Sequence, residues 1–113
     1  MKSIIILCLF PCLILGQLIS PVDNDSLNTV HVLFEWEQLS NAASYQIQVA
    51  ESDSTDFQNT TADLIDSTLL IIIDEGFLWG TTYAWRMRSV NSVGDFGEWS
   101  ETKIFHIKPL PGY

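Results

Sequence analysis

The chain is 113 residues long, with 47% hydrophobic and 17% charged residues, which leaves room for one folded domain and argues against disorder. Fourteen acidic residues outnumber five basic ones, and the formal net charge is −9. A surface of that sign repels nucleic-acid phosphates and anionic lipid headgroups, so neither nucleic acid nor a membrane surface is the expected partner.

Residues 1–16 have the pattern of a secretory signal peptide. Lys2 precedes a short apolar run that ends at Gly16, and the run is too short for a comfortable membrane span. The small residue at that position predicts cleavage after Gly16, so that the mature chain begins at Gln17. The alternative is an uncleaved anchor helix. A lipid anchor on Cys12 is disfavoured, because the small residue that normally precedes a lipidated cysteine is missing.

Both cysteines of the chain, Cys8 and Cys12, lie within this segment. The mature chain therefore has no cysteine, and removal of Lys2 leaves four basic residues against fourteen acidic ones. An exported domain without disulfides must be stabilised by its hydrophobic core. The lack of cysteine also excludes thiol catalysis and cysteine-ligated metal sites. We expect a protein that is secreted or held at the cell surface, with no membrane contact after cleavage.

The rest of the chain alternates apolar and polar residues with a period of two. Tyr83, Trp85 and Met87 share one parity, for example, while Arg86 and Arg88 take the other. Such alternation is typical of strands with one apolar and one wetter face. Turn-forming clusters of Asp, Asn, Ser and Gly separate the runs at intervals of about ten residues. The pattern predicts an all-β, seven-stranded antiparallel sandwich, with strands at 17–22, 29–37, 44–51, 56–62, 67–73, 81–91 and 99–108.

Two segments depart from simple alternation. Residues 69–73, Leu-Leu-Ile-Ile-Ile, are apolar on both parities, which predicts a strand covered on both faces or one near a sheet edge beneath a loop. The segment 109–113 cannot continue a strand, because Pro109 and Pro111 lack the backbone donors of a β-ladder. We expect this segment to be a linker or tail, as in a chain that continues into another module.

Several segments together carry a family resemblance. They are Phe34-Glu35-Trp36, the strand-like residues 43–50, and the longer stretch 77–91 followed by Gly-Glu-Trp-Ser-Glu at 97–101. In this order and spacing they resemble a fibronectin type III domain, particularly the form found in tandem in secreted bacterial proteins. The resemblance spans about residues 19–107. It implies an immunoglobulin-like sandwich over residues 17–108 that binds or holds other molecules without catalysis.

The segment Gly80-Thr81-Thr82-Tyr83 matches the tyrosine corner of that family. There a tyrosine opening the sixth strand bonds its hydroxyl to upstream backbone. Phe77 stands where the family usually has leucine, and Trp79 stands where many members have proline. These two positions depart from the family pattern of the corner. Trp36 and Tyr45 are expected to fill the space between the sheets. The missing cysteine pair counts against an antibody-type domain.

Trp99 lies near the start of the last predicted strand, and Arg86 and Arg88 lie on one face of the strand before it. A guanidinium can stack on an indole ring, and such a contact contributes about 0.5–2 kcal/mol. Similar tryptophan–arginine ladders occur in receptor-type members of the family. Two interpretations stay open. Trp99 belongs to a surface ladder that pins the last two strands, or it is an aromatic ligand contact.

No catalytic, cofactor-binding or metal-binding set can be assembled from the sequence. The two histidines, His31 and His106, fall on predicted strands, and two histidines with no third ligand make a poor zinc site. Acidic residues at Asp23 and Asp25, and within 51–56, suggest calcium, but neither cluster has the full ligand set of a calcium loop. The prediction is therefore a chain that is not an enzyme and holds no cofactor.

The leading functional prediction is a non-catalytic extracellular spacer or protein-interaction module of a secreted or cell-surface protein. The alternative is a carbohydrate-binding accessory domain of a polysaccharide-acting enzyme, which would use exposed aromatic rings. The candidates for such ligand contacts are Trp79, Phe96 and Trp99. The expected partner is a protein or a carbohydrate, with further modules of the same chain as a third option.

Overall fold

The computed structural model describes residues 17–52 and 56–111. The predicted signal peptide at 1–16 lies outside the described residues, as do Asp53 of one acidic cluster and the last two residues of the predicted tail. The described residues form strands and no helix. The strands are β1 (Leu18–Ser20), β2 (Asp25–Leu27), β3 (Val32–Trp36), β4 (Ser44–Glu51), β5 (Thr60–Asp66), β6 (Leu70–Ile73), β7 (Thr82–Val90) and β8 (Lys103–Ile107).

These strands form two sheets that pack face to face. The smaller sheet has the order β1-β3-β6, and the larger has the order β2-β8-β7-β4-β5. The all-β sandwich predicted from the sequence is confirmed. Two details of that prediction are wrong. The described residues form eight strands and not seven, and β2 pairs with β8 in parallel and not antiparallel.

The additional strand β2 comes from a segment that the sequence assigns to a turn. After Ser20 the chain passes through a cis Ser20–Pro21 bond and crosses from the smaller sheet to the larger one. Leu27 lies opposite Ile107, and the Lys108 N–H donates to the Leu27 carbonyl at 2.8 Å. A strand of three residues, two of them polar, has no hydrophobic period of its own, so only its pairing with β8 defines it.

Other boundaries differ from the prediction where loops hold unusual backbone. The strand predicted at 56–62 begins only at Thr60, because Phe57 has a positive φ of 57° and belongs to the loop. The strand predicted at 67–73 begins at Leu70. It lies at a sheet edge, as one of the two alternatives predicted, and Ile72 is 62% exposed, so the covering on both faces that the other alternative predicted is not found.

The core between the sheets is built from aromatic rings on the inward parity of the strands. Trp36 and Tyr45 are buried with their ring centroids 5.8 Å apart. Phe34 meets Trp85 edge to face at 4.9 Å, and the Trp85 indole N–H donates to the Pro21 carbonyl at 3.4 Å. Rings of this size remove a large apolar area from water, which is the main source of stability in a domain without disulfides.

Two tyrosine hydroxyls accept backbone N–H groups at the ends of the sandwich. The Tyr83 hydroxyl accepts from the Leu78 N–H at 2.9 Å, which is the bond expected of a tyrosine corner. Phe77 packs edge to face on the Tyr83 ring at 5.0 Å. The Tyr45 hydroxyl accepts in the same way from the Leu39 N–H at 3.0 Å.

Candidate functional site

The outer face of the larger sheet carries a row of stacked rings and guanidinium groups, which we call the arginine–aromatic ladder. The Arg86 guanidinium lies over the rings of Phe57 and Trp99, 4.2 and 4.0 Å from their centroids. The Arg88 guanidinium lies over Trp99 and Phe96, at 4.2 and 3.8 Å. The order along the ladder is therefore Phe57, Arg86, Trp99, Arg88, Phe96. Each guanidinium is enclosed by two rings, a geometry that favours the cation.

Period-two geometry explains why both arginines reach this face. Tyr83, Trp85 and Met87 of β7 point into the core, so Arg86 and Arg88 point outward from the same strand. The same alternation that predicted the strand therefore places both arginines on its outer face.

A hydrogen-bonded network holds the two guanidinium groups in place. Gln48 lies opposite Arg86, and its Oε1 accepts from Arg86 Nε and Nη2 at 3.0 and 2.7 Å. Gln46 lies opposite Arg88, and its Oε1 accepts from Arg88 Nε at 2.7 Å. Both amides then donate to one carboxylate, that of Asp63 on β5, at 2.8 Å from Gln46 and 3.1 Å from Gln48. The network spans three strands, β7, β4 and β5.

The two cations lie close enough to influence each other. Burial lowers the pKa of the Arg86 guanidinium, and the neighbouring charge of Arg88 lowers it further, while Asp63 acts in the opposite direction. An arginine whose pKa starts so high stays cationic at neutral pH. The rings and the shared carboxylate thus hold two like charges on one strand face.

Trp99 enters the ladder from a segment that runs beside β7 without being a regular strand. The Gly97 N–H donates to the Ser89 carbonyl at 2.9 Å, and the Ser100 N–H donates to the Met87 carbonyl at 2.7 Å. The Ser100 hydroxyl accepts the Met87 N–H at 3.0 Å, in place of a backbone carbonyl. The strand predicted at 99–108 consequently begins only at Lys103.

Phe57 is the member of the ladder that sequence reasoning missed. It lies in the loop between β4 and β5 and is buried, at 6% exposed, against Ala50, Ala84 and Ile104. A lone aromatic among Asp, Ser, Thr, Gln and Asn is the one sequence signal that could have indicated it.

The three predicted ligand contacts occupy two different places. Phe96 is half exposed at 50%, and it pairs with Val90 at the end of β7. Trp99 is partly buried beside it in the ladder. Trp79 packs against the main core and precedes β7, so it belongs to the opposite end of that strand. The structure brings Phe96 and Trp99 together and leaves Trp79 apart.

Outside the ladder, His106 and Asp23 are bonded to a neighbouring side chain or to the backbone, whereas the buried Trp36 indole N–H has no hydrogen-bond partner among the described residues. His106 Nδ1 lies 2.9 Å from Thr82 Oγ1 on the adjacent strand, and His31 is exposed just before β3. The Asp23 carboxylate accepts the Ile104 N–H at 2.9 Å. Within residues 17–52 and 56–111, no three acidic or histidine side chains cluster in a way that could hold a metal ion. In the same ranges no helix is long and apolar enough to cross a bilayer.

No family model and no curated protein sequence matches this chain. Solved structures do match. A Fn3-like protein from Clostridium thermocellum has 18% identity and a TM-score of 0.59, over 79% of this chain and 91% of that one. An alpha-L-rhamnosidase from Dictyoglumus thermophilum has 13% identity and a TM-score of 0.64, over 85% of this chain. One from Streptomyces avermitilis, complexed with L-rhamnose, has 18% identity and a TM-score of 0.61, over 82% of this chain.

The matched region makes up only 13% and 10% of the two rhamnosidase chains. At these identities the similarities define the fold and not an activity. The chain has the fold of a fibronectin type III or immunoglobulin-like sandwich.

Proposed function

We propose that this chain is a non-catalytic interaction module that acts outside the cytoplasm, secreted or at the cell surface. The observation that carries this proposal is the use of the polar side chains. Three side chains with catalytic potential on or beside the larger sheet serve its framework: His106 contacts Thr82, Ser100 replaces a strand carbonyl, and Asp63 holds the two glutamines of the ladder network. General acid–base or nucleophilic catalysis needs such groups to face a substrate together.

An activity screen tests the non-catalytic part. The full chain would be assayed on chromogenic glycosides, esters and phosphomonoesters. We expect no turnover above a blank without protein. Turnover that copurifies with the chain and is lost in His106→Ala would overturn the proposal. Retained unfolding behaviour of His106→Ala would be the control for loss of fold.

Export is supported by the charge and apolar pattern of residues 1–16 and by the lack of cysteine after them. The full chain would be produced in a secretion-competent bacterium and its exported form sequenced from the N-terminus. We expect the sequence to begin at Gln17. Recovery of the chain only inside the cell, with residues 1–16 attached, would contradict export.

Carbohydrate binding is the second candidate, because the ladder ends in a half-exposed ring. Phe96 offers an aromatic face beside Trp99, and sugar rings pack on such faces. The similarity to parts of two alpha-L-rhamnosidases adds a reason to include rhamnose-containing glycans among the probes.

A glycan array with matched variants tests this candidate. Binding that Phe96→Ala or Trp99→Ala abolishes would support it, since these rings share one face. Trp79→Ala should retain binding, because Trp79 lies at the other end of β7. Ile65→Ala, an exposed apolar residue on β5, serves as the surface control. An array without specific binding would rule this candidate out.

A further inference from the structure

Strand β6 forms one edge of the smaller sheet. It pairs with β3 on one side, and in the part of the chain that the structure describes no strand pairs with its other side. The Trp36 N–H donates to the Leu69 carbonyl at 3.2 Å, so Leu69 belongs to a hydrogen-bonded pair of the β3–β6 ladder. Such pairs alternate along an antiparallel ladder. Leu70 and Ile72 therefore point their backbone groups away from β3, toward the open edge. The Leu70 carbonyl lies 3.0 Å from the Thr68 hydroxyl, so the Leu70 N–H and the N–H and carbonyl of Ile72 are the groups left for an added strand.

The side chains at the same two positions are also exposed. Leu70 is 49% and Ile72 is 62% exposed on the outer face of the sheet. Leu33 of β3, directly opposite Ile72, is 38% exposed and extends this apolar surface across the outer face from β6 to β3. Free backbone donors and acceptors next to apolar side chains are the features that recognise an added β-strand.

The other three sheet edges in the described part of the chain carry features that discourage strand addition. Strand β1 has a register irregularity and ends before Pro21. Strand β2 has three residues, one of them charged. Strand β5 carries Asp63 and Asp66 and an irregular register with β4. Charges, proline, bulges and short length are the usual protection of sheet edges. Strand β6 has no charged residue, no proline and no irregularity within it.

The acidic residues around β6 determine which charge a strand bound at this edge should carry. Asp66 precedes the strand, while Asp74 and Glu75 follow it, so acidic residues flank the apolar edge at both ends. Four of the chain's basic residues lie elsewhere, as Arg86 and Arg88 on β7, Lys103 on β8 and Lys108 after it. A second copy of this chain, paired antiparallel through β6, would bring these acidic ends together and repel itself.

We propose that β6 binds an extended partner segment that is apolar in its centre and carries basic residues at both ends. The segment adds to the edge through the Leu70 N–H and the N–H and carbonyl of Ile72. Its basic ends lie near Asp66, Asp74 and Glu75. This inference rests on the proposed function as an interaction module, and it names the surface and the chemical class of the partner.

A pair of synthetic peptides tests the inference. The probe is Lys-Lys-Thr-Val-Thr-Val-Thr-Lys-Lys, and the control replaces all four lysines by glutamates. Each would be titrated into the exported form of the isotopically labelled chain, and amide shifts would be followed by NMR. We expect the lysine peptide to bind about tenfold more tightly at about 20 mM salt, with the difference shrinking near 0.5 M as charges are screened. The shifted amides should be those of β6, with Leu70 and Ile72 protected from hydrogen exchange.

Two variants with the same charge change locate the site. Ile72→Lys should weaken binding of the lysine peptide about tenfold or more, since it places a gatekeeper charge on the edge. Ile65→Lys, at an equally exposed position on the edge strand β5, should not weaken it by that amount. Both variants should remain soluble and folded, because Ile72 and Ile65 are exposed.

Three results would overturn the edge proposal. They are equal affinity for both peptides, shifts that map to β5 or to the arginine–aromatic ladder, and dimerisation that Ile72→Lys abolishes in a chain that binds neither peptide. Failure here leaves the proposed function standing if the chain is folded and shows no turnover. Turnover in the activity screen would overturn the proposed function whatever the peptides do.

Discussion

Tyrosine hydroxyls illustrate how single atoms fix the loops of this sandwich. Tyr45 and Tyr83 bury their rings in the core while each hydroxyl accepts one loop N–H, from Leu39 and Leu78 respectively. A tyrosine in such a position contributes twice, once through its apolar ring and once through its hydroxyl. The two contributions can be separated because phenylalanine keeps the first and removes the second.

We predict that Tyr83→Phe destabilises the fold by about 1–2 kcal/mol, because the Leu78 N–H loses its acceptor while the ring packing stays. Tyr45→Phe should cost a similar amount through the Leu39 N–H. Urea unfolding followed by tryptophan fluorescence measures both. A loss well below 0.5 kcal/mol in each would mean that water replaces the hydroxyl without cost.

The double variant Tyr45→Phe, Tyr83→Phe is the control for the two single variants. Tyr45 lies opposite Ser89, and Tyr83 lies opposite Glu51, at the far end of β4. The six residue steps from one position to the other span about 20 Å. At that separation the two losses should add to within about 0.5 kcal/mol. Strong non-additivity would indicate that the hydroxyls act through a shared change in the core.

A second residue-scale prediction concerns the turn before β6. The Thr68 hydroxyl donates to the Asp66 carboxylate and its backbone N–H does so at 2.8 Å. These bonds, the hydroxyl first, lower the pKa of Asp66 against the opposing effect of burial. A lowered pKa in the folded state contributes stability above the unfolded pKa, and this is lost as the pH falls through the folded value.

Thr68→Ala should therefore raise the pKa of Asp66 toward its ordinary value, as measured by NMR titration of the carboxyl group. The variant should be less stable than the parent at pH 7, and the difference should shrink at strongly acidic pH, where Asp66 is protonated in both. A stability difference that does not change with pH would show that the hydroxyl supports the turn independently of the charge.

At the scale of elements, the arginine–aromatic ladder ties a loop segment to a strand. Trp99 contacts two guanidinium groups, and each contact is expected to contribute about 0.5–2 kcal/mol. Trp99→Ala should lower the free energy of unfolding by about 1–4 kcal/mol on this basis. Phe96→Ala should cost less, because Phe96 is half exposed and contacts one guanidinium. Urea unfolding checks both, and unchanged stability in Trp99→Ala would refute a structural role.

Elements differ in how much of them the sequence could predict. Strands such as β4 and β7 carry eight and nine residues of alternating character, so their position and inward face follow from the pattern. The three residues of β2 could not be predicted, because they are defined by backbone pairing with a strand far along the chain. The position of Trp99 beside β7 depends on backbone bonds from Gly97 and Ser100 and on a serine hydroxyl that replaces a carbonyl, and no hydrophobic period records these bonds.

The candidate site was predictable to a similar extent. The outward parity of Arg86 and Arg88 indicated a stack with Trp99, because the three residue types suit such a stack. The participation of Phe57 depends on a loop with a positive φ, and the role of Asp63 depends on the register between β4 and β5. Both are long-range features of the assembled sheet. The exposed edge of β6 likewise follows from strand order, whereas its apolar sequence suggested either a strand covered on both faces or one at a sheet edge beneath a loop.

At the scale of the whole molecule, the dominant feature is the excess of negative charge. Fourteen acidic residues face five basic ones. Within the described residues one salt bridge forms, between the exposed Glu101 and Lys103 at 3.3 Å. Exposed pairs of this kind contribute little, and Arg86 and Arg88 interact mainly with rings and glutamines. The acidic groups are thus largely uncompensated, and their mutual repulsion opposes the compact state.

Added salt should consequently stabilise this protein. We predict that raising sodium chloride from about 10 to about 200 mM increases Tm by about 2–4 °C, because the Debye length falls from about 30 Å to below 10 Å and long-range repulsion is screened. Differential scanning calorimetry measures the shift. The double variant Asp74→Asn, Glu75→Gln should show a smaller rise and a higher Tm at low salt, since both groups are exposed. A Tm that falls with salt would mean that local attractions, chiefly around the two arginines, outweigh the repulsion.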